Sequence, residues 1–305
     1  MAEQLIGAVE AGGTKFVLAV ADTQGRIIDR ARIETRTPDE TFPEMAAFFA
    51  RHGPLAGIGI ASFGPIDINP ASPAYGTFTT TPKPGWSGAR FHVALAALGA
   101  PILVDTDVNG AALGEWLGGA GVGCETLAYT TVGTGIGTGV LHQGQSRGGI
   151  SHVEAGHIRP TRDPLRDPFG GRCPFHRDCL EGLASGPAII DRWGMPLDEA
   201  AAQHHDAVPL IASYLAGLAV TLVLLHMPDR LIFGGGVMKA PGLLDSLHQQ
   251  AELASLTFAR ADAWIATWGT GQRDKPLRSL WSVIAIGVRG MGQLTVSAVK
   301  SLKPR

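Results

Sequence analysis

A compact run, Cys173-Pro174-Phe175-His176-Arg177-Asp178-Cys179, has the spacing C-x2-H-x2-C. A loop of this kind can aim three ligands at one ion, and His157 is the natural fourth, reaching across from the preceding segment. Thiolate and imidazole donors select zinc over magnesium or calcium. The competing reading is two unpaired thiols near surface histidines. The surrounding insert is short of apolar residues, which favours a metal staple. The third cysteine, Cys124, follows a glycine cluster and reads as an ordinary packed thiol.

Two further groups could handle phosphate. Gly12-Gly13-Thr14-Lys15 and Gly133-Thr134-Gly135 each sit in a turn between apolar runs. Glycines there let backbone N–H groups approach anionic oxygens, and Thr14 and Lys15 add donors. Either turn alone could be an ordinary hairpin, but two of them could grip one polyphosphate. The chain has no Gly-Lys dipeptide, which excludes a Walker A loop, and residues 133–139 do not spell G-x-G-x-x-G. Gly234-Gly235-Gly236 follows a buried run and could let backbone lie flat against a planar base, or simply allow close packing.

Carboxylates complete the set. Asp107 falls at a strand-to-helix junction, where helix N-terminal donors keep a carboxylate fixed. One such group is what phosphoryl transfer to a hydroxyl needs as a proton acceptor. A plain N-cap is the alternative, and Asp105 is the nearby rival, expected to be buried or supporting. Glu154, His157 and Glu181 are of the types that bind vicinal hydroxyls, although they could equally be solvated surface charges.

These residues need a frame, and the apolar pattern supplies one. Strands are expected at Leu5–Val9, Phe16–Val20, Arg26–Ile33, Gly57–Ala61 and Pro101–Asp105, and a helix begins near Pro38 with Phe42, Met45, Phe48 and Phe49 at helical spacing. Residues 69–88 read as an irregular loop. After the glycines at 118–123 the pattern starts again, with a strand at Leu127–Val132, a turn over 133–139 and a returning strand. Helices are expected from about Pro187, over 209–226 and over 242–253, with a strand at Arg230–Phe233. A loop-rich insert covers 159–180. Strands alternating with helices imply an α/β architecture.

Bulk properties fit a small-molecule enzyme. The chain has a formal net charge of −2, 45% hydrophobic and 17% charged residues. Nothing suggests a surface for nucleic acid or a polybasic membrane patch. The N-terminus has no basic or long apolar leader segment. The stretch from Val208 to Met227 is interrupted by Pro209, Ser213, Tyr214, Gly217, Thr221 and His226, so it reads as a buried helix rather than a span. Three cysteines suit a reduced, cytoplasmic compartment.

Taken in order, these residues resemble the ROK family of sugar kinases, within the actin/hexokinase-like superfamily. The match runs from Gly7 to about Met238. It comprises Glu10-x-Gly-Gly-Thr-Lys15, Gly64-Pro65-Ile66-Asp67, Asp107-Val-Asn109, Gly133-Thr-Gly-Ile-Gly137, Glu154-Ala-Gly-His157, the Cys/His cluster with Glu181, and Gly234-Gly-Gly-Val-Met238. The Cys/His spacing and Thr81-Pro-Lys-Pro-Gly-Trp86 look like the bacterial fructokinase branch. Thr106, where many glucose-type members have Asn, fits that branch too.

The resemblance implies an α/β, actin/hexokinase-like fold of two ribonuclease-H-like domains with a cleft between them. These would be residues 1–117, completed by a helix near 280–300, and residues 118–279, carrying the zinc insert at 157–181. It implies ATP with Mg2+ as donor and Asp107 as general base. Glu154, His157, Glu181, Gly64 and Pro65 would be on the sugar side, with His157 bridging to a structural zinc held also by Cys173, His176 and Cys179. Glu10 would hold magnesium through water. Gly12, Gly13, Thr14, Lys15, Thr134, Gly135 and Gly234 to Met238, including Gly235, Gly236 and Val237, would hold ATP, with Ala184 near the nucleoside.

The implied reaction is D-fructose to fructose 6-phosphate, by a homodimer that binds no nucleic acid and no membrane. Alternatives are a mannokinase, a glucokinase or a broad hexose kinase, and, further off, a non-catalytic sugar sensor. A sugar-responsive repressor would carry a DNA-binding domain before the first strand, where only a few residues stand.

Overall fold

The computed structural model of the chain describes residues 4–148, 151–254 and 265–267. They form two compact units, each with its own sheet and core. The first covers the described residues to Val122 together with the stretch Gly144–His152; the second covers Gly123–Gln143 and the described residues from Val153 to Thr267. The boundary expected at 117/118 stands beside an observed one at 122/123, and Gly144–His152 groups with the first unit. The expected helix near 280–300 lies outside the described residues.

In the first unit β1 (Leu5–Ala11), β2 (Lys15–Asp22) and β3 (Ile27–Glu34) form an antiparallel meander. β4 (Leu55–Ser62) and β5 (Ile102–Thr106) then add parallel strands, giving the order β3-β2-β1-β4-β5. β1 and β4 are central and almost wholly buried, whereas β3 alternates between exposed and half-buried positions as an edge strand should. Helix α1 (Pro38–Ala50) starts at a capping box between Thr37 and Glu40 and buries Phe42, Met45, Phe48 and Phe49. The loop over 69–88 holds no long element but is ordered by turns and two isolated bridges, Ile66 to Phe78 and Thr77 to Arg90. It leads to the short helix α2 (Phe91–Ala94), and β5 runs directly into α3 (Asp107–Gly118). The two-residue strand Gln145–Ser146 (β8) brings Ser146 to Asp105.

In the second unit β6 (Thr126–Val132) and β7 (Ile136–His142) make a hairpin, and β9 (Arg230–Gly234) and β10 (Ile265–Thr267) extend it in parallel, in the order β10-β9-β6-β7. The turn is tighter than expected. It occupies only 133–135, because Gly137 and Gly139 take part in the β7 ladder rather than in the loop. The helices are α4 (Leu180–Ala184), α5 (Gly186–Trp193), α6 (Leu197–Gln203), α7 (Ala207–His226) and α8 (Leu243–Ala254). Helices α4 and α6 are too short to show a period in sequence. α7 has the length and composition of a membrane span, yet Leu210, Ile211, Tyr214, Leu215, Leu218 and Leu222 bury it in this unit's core.

Candidate functional site

The first unit presents a glycine hairpin and a carboxylate. Between β1 and β2 the loop's carbonyls are all engaged. Gly12 O accepts the Thr35 hydroxyl at 2.7 Å, Thr14 O accepts Thr35 N–H at 3.0 Å, and Gly13 O accepts the Lys83 ammonium at 2.6 Å. Gly12 N–H closes the turn on Lys15 O at 2.9 Å. Among the described residues nothing accepts from the Gly13 or Thr14 N–H. A Cβ at Gly12 would stand 2.9 Å from Lys15 O, whereas Gly13 faces open space. The loop therefore shows donors and no acceptors, the arrangement an anion needs.

Thr106, not Asp107, caps α3, its hydroxyl accepting Asn109 N–H at 3.2 Å. That leaves Asp107 at the first helical position with Oδ1 on Val108 N–H at 2.8 Å and no partner on Oδ2 among the described residues. Asp105 is spent on structure. It accepts Asn109 Nδ2 at 2.6 Å, Thr106 N–H at 2.8 Å and Ser146 Oγ at 2.9 Å. Burial raises the Asp105 carboxyl despite those bonds.

Asp107 has accessible surface, but the protein around it withholds bulk water. This desolvation pushes its carboxyl from 3.8 up to about 6; the Glu10 charge adds to the effect, while the Val108 N–H and His152 oppose it. Glu10, near the end of β1, is thus within electrostatic reach of Asp107. Gly64 and Pro65, joined by a cis peptide, are half-buried after β4, and a Cβ at Gly64 would lie 3.9 Å from the His152 ring.

The second unit carries the other glycine turns. Gly133 N–H bonds Gly135 O at 2.9 Å, and Gly133 O accepts Gly186 N–H at 2.7 Å, tying the hairpin to the start of α5. Glu181 accepts Ile136 N–H through Oε2 at 2.9 Å, and a Cβ at Gly135 would stand 2.7 Å from that oxygen. Glu181 therefore braces the turn as well as offering its second oxygen. Gly235 has φ +96°, and a Cβ there would collide with Val132 O. Gly234–Gly236 thus lies against the end of β6, beside the Gly133–Gly135 turn. Val237 begins a 3-10 turn and Met238 is buried beneath it. Ala184 is fully buried at the end of α4, a wall residue rather than a surface one.

The Cys/His group converges. His157 Nδ1 lies 3.5 Å from Cys179 Sγ and 3.9 Å from Cys173 Sγ, and His176 Nδ1 is 3.8 Å from Cys173 Sγ; all four donor atoms fall within 4.8 Å of one another. Tetrahedral zinc bonds of ~2.0–2.3 Å place ligand atoms about 3.3–3.8 Å apart, so a modest closing of the donor set would fit such an ion. The loop is closed by Cys173 and Arg177, which exchange backbone hydrogen bonds at 3.1 and 2.9 Å around the positive φ of Arg177. Burial raises the Cys179 thiol to about 11, and the neighbouring Cys173 thiol and Glu181 add to it. A buried thiol pair of this kind needs a cation to become a ligand. The other imidazole nitrogen of His157, Nε2, is 3.9 Å from Glu154 Oε2. One ring thus faces the sulfur cluster on one side and an exposed carboxylate on the other.

Sequence reasoning did not find three contributors. A buried pair, Asp167 with Arg192, pins the insert: Asp167 accepts Arg192 Nε at 3.1 Å, Arg192 Nη2 at 2.9 Å and the Tyr214 hydroxyl at 2.7 Å. The insert expected to need a metal staple therefore has this hydrogen-bonded one, invisible in sequence because its partners lie 25 and 47 positions away. His152 acts on Asp107 electrostatically, and Lys83 reaches the phosphate-type loop from 70 positions away. Only the unusual Pro82-Lys83-Pro84 run signalled the latter.

Comparison with known proteins supplies the family. The model of the ROK family matches residues 6–269. The fructokinase of Zymomonas mobilis is 44% identical over 268 residues, 85% of this chain and 89% of that protein. The fructokinase of Pediococcus pentosaceus is 42% identical over 252 residues, 81% of this chain and 85% of that protein. Relatives named glucokinase are more distant, at 31% identity or below. Among solved structures, the ROK hexokinase of Thermus thermophilus superposes with a TM-score of 0.74 at 25% identity, covering 92% of this chain and 98% of that one. With its two α/β units, its glycine hairpins and these relatives, the chain belongs to the ROK family.

Proposed function

We propose that this protein is an ATP-dependent hexose kinase whose preferred acceptor is D-fructose, giving fructose 6-phosphate and ADP. The observation that carries the reading is Asp107, a fixed carboxylate with one unengaged oxygen and a raised pKa. In the proposed step Asp107 takes the proton of the sugar hydroxyl as that oxygen bonds the γ-phosphorus. The bond to the β,γ-bridging oxygen breaks and ADP leaves. The free N–H groups of Gly13 and Thr14 support a role in binding the transferred phosphate, and the turns at Gly133–Gly135 and Gly234–Met238 support a role in holding the nucleotide. Glu10 would contribute through water to the Mg2+ that accompanies ATP. The fructokinase names at 40–44% identity support fructose over glucose as acceptor.

Zinc would be held by His157, Cys173, His176 and Cys179 and would supply a rigid anchor with no part in bond making. With Nδ1 turned to the sulfur cluster, the His157 Nε2 would face the sugar as a donor, and Glu154, whose Oε2 lies 3.9 Å from it, as an acceptor. We further propose a cytoplasmic enzyme acting as a homodimer, in keeping with its free thiols. The assay is ADP release from MgATP with fructose, mannose, glucose and N-acetylmannosamine offered separately. A preference for fructose supports the reading; preference for another hexose moves the specificity, and no turnover with any of them defeats the kinase assignment in favour of a sugar sensor.

A further inference from the structure

Lys83 stands out in the first unit as a cation placed with unusual care. Its ammonium donates to Gly13 O at 2.6 Å, and among the described residues this is its sole partner. No carboxylate among those residues neutralises it, and an ammonium has three N–H donors. Two are therefore unspent, on the carbonyl side of a hairpin whose Gly13 and Thr14 N–H groups also lack acceptors among the described residues.

The loop holding Lys83 is built to be stiff. Pro82 and Pro84 fix φ on either side. Lys83 N–H bonds Thr81 Oγ1 at 3.3 Å, and Lys83 O accepts Trp86 N–H at 3.2 Å across the positive φ of Gly85. Trp86 anchors the far end. It is fully buried, its ring lies 5.0–5.6 Å from Phe16, Phe42, Phe63 and Phe78, and its Nε1 donates to Arg36 O at 2.8 Å. A surface lysine kept only for solubility needs none of this. A long flexible side chain whose root is immobilised loses less entropy when its head binds a ligand.

We propose that Lys83 is a catalytic residue of the phosphoryl transfer, its ammonium meeting the terminal phosphate of ATP over the Gly12–Lys15 hairpin. The inference rests on the kinase reading above and deepens it. In the absence of nucleotide the Gly13 carbonyl keeps the ammonium in position. When the phosphate arrives over the hairpin, the two unspent N–H groups reach its oxygens and add to the Gly13 N–H. The charge then opposes the negative charge that accumulates on those oxygens during transfer. The covalent step is unchanged, since Lys83 donates hydrogen bonds and keeps its proton. Lys15, exposed at the start of β2, lacks any such anchoring.

The test compares wild type, Lys83→Ala and Lys83→Arg in two measurements. Steady-state kinetics of the holoenzyme should show kcat falling about 100-fold in Lys83→Ala, the size typical of losing one preorganised donor, with the KM for fructose little changed. Lys83→Arg should recover a large part of that loss, because it keeps the charge at similar reach. Calorimetry should show Lys83→Ala weakening the non-hydrolysable triphosphate AMPPNP while leaving ADP, which lacks the terminal phosphate, nearly unaffected. Equal weakening of both nucleotides would mean that Lys83 only shapes the hairpin, and it would overturn the proposal, as would unchanged kcat in Lys83→Ala. If wild type itself phosphorylates no hexose, the kinase reading fails, and the AMPPNP-against-ADP comparison still decides whether Lys83 reads the terminal phosphate.

Discussion

Desolvation by the surrounding protein lifts the Asp107 carboxyl to about 6, and this makes the pH dependence of turnover a direct probe of its role. A general base works only when ionised. For a group of pKa about 6, roughly nine-tenths is ionised at pH 7 and roughly one-tenth at pH 5, so kcat/KM should fall nearly tenfold between them. An ordinary aspartate near 3.8 would leave that interval flat. The groups facing Asp107 are Glu10, which raises its pKa, and His152, which lowers it. A histidine could produce a limb in the same range, so the assay needs Asp107→Asn beside wild type. That variant should lose two to four decades of kcat, and its residual activity should no longer show the acid limb.

The stability side has a fixed sign. The folded pKa lies above the unfolded one, so the carboxylate's contribution is most favourable below about pH 4 and declines as pH rises through 6. Asp107→Asn should therefore be at least as heat-stable as wild type at pH 8, with no such relation at pH 4. A wild-type profile flat down to pH 5, or an Asn variant of near-normal activity, refutes the assignment.

Other consequences can be checked independently. Asp167→Ala strands Arg192, only 7% exposed, together with the Tyr214 hydroxyl. Breaking such a buried pair costs about 3–5 kcal/mol, which calorimetry should register as a fall in Tm on the order of 10 °C. A shift under 2 °C would show the network to be dispensable. Purified protein should carry one zinc per chain by elemental analysis. Chelation or Cys179→Ser should raise hydrogen exchange over residues 157–181 and weaken sugar binding, and protein that is fully active yet metal-free would rule the centre out. Gly235→Ala should lower both Tm and nucleotide affinity, since its Cβ would meet Val132 O at a φ of +96°.

Much of the molecule was legible in the residues alone. Strands of the two sheets show as apolar runs, and α1 declares itself through Phe42, Met45, Phe48 and Phe49 at helical spacing and an acidic first turn. Both glycine hairpins and the Cys/His cluster are local, so spacing suffices to find them. Local pattern did less well where two structures share one composition. The glycines at 137 and 139 look like loop but pair in β7, because a ladder constrains backbone and not side chains. Helices α4 and α6 are too brief for a period to emerge.

What sequence by itself determined is therefore the inventory: an α/β chain with two glycine turns, a sulfur and imidazole ligand set, and Asp107 beside Asp105. What only the tertiary structure decided is which members of that inventory are spent and which are free. Asp105 and Asp107 differ by two positions and are chemically identical. The fold brings Asn109, Thr106 and Ser146 onto one and leaves an oxygen of the other unengaged. In the same way it closes the carbonyls of the first hairpin with Thr35 and Lys83, and turns Asp167 into a staple with Arg192 and Tyr214. Hydrogen bonding and desolvation act through space between residues far apart in the chain. The availability of a group for chemistry is therefore a property of its neighbours, and those are fixed by the fold.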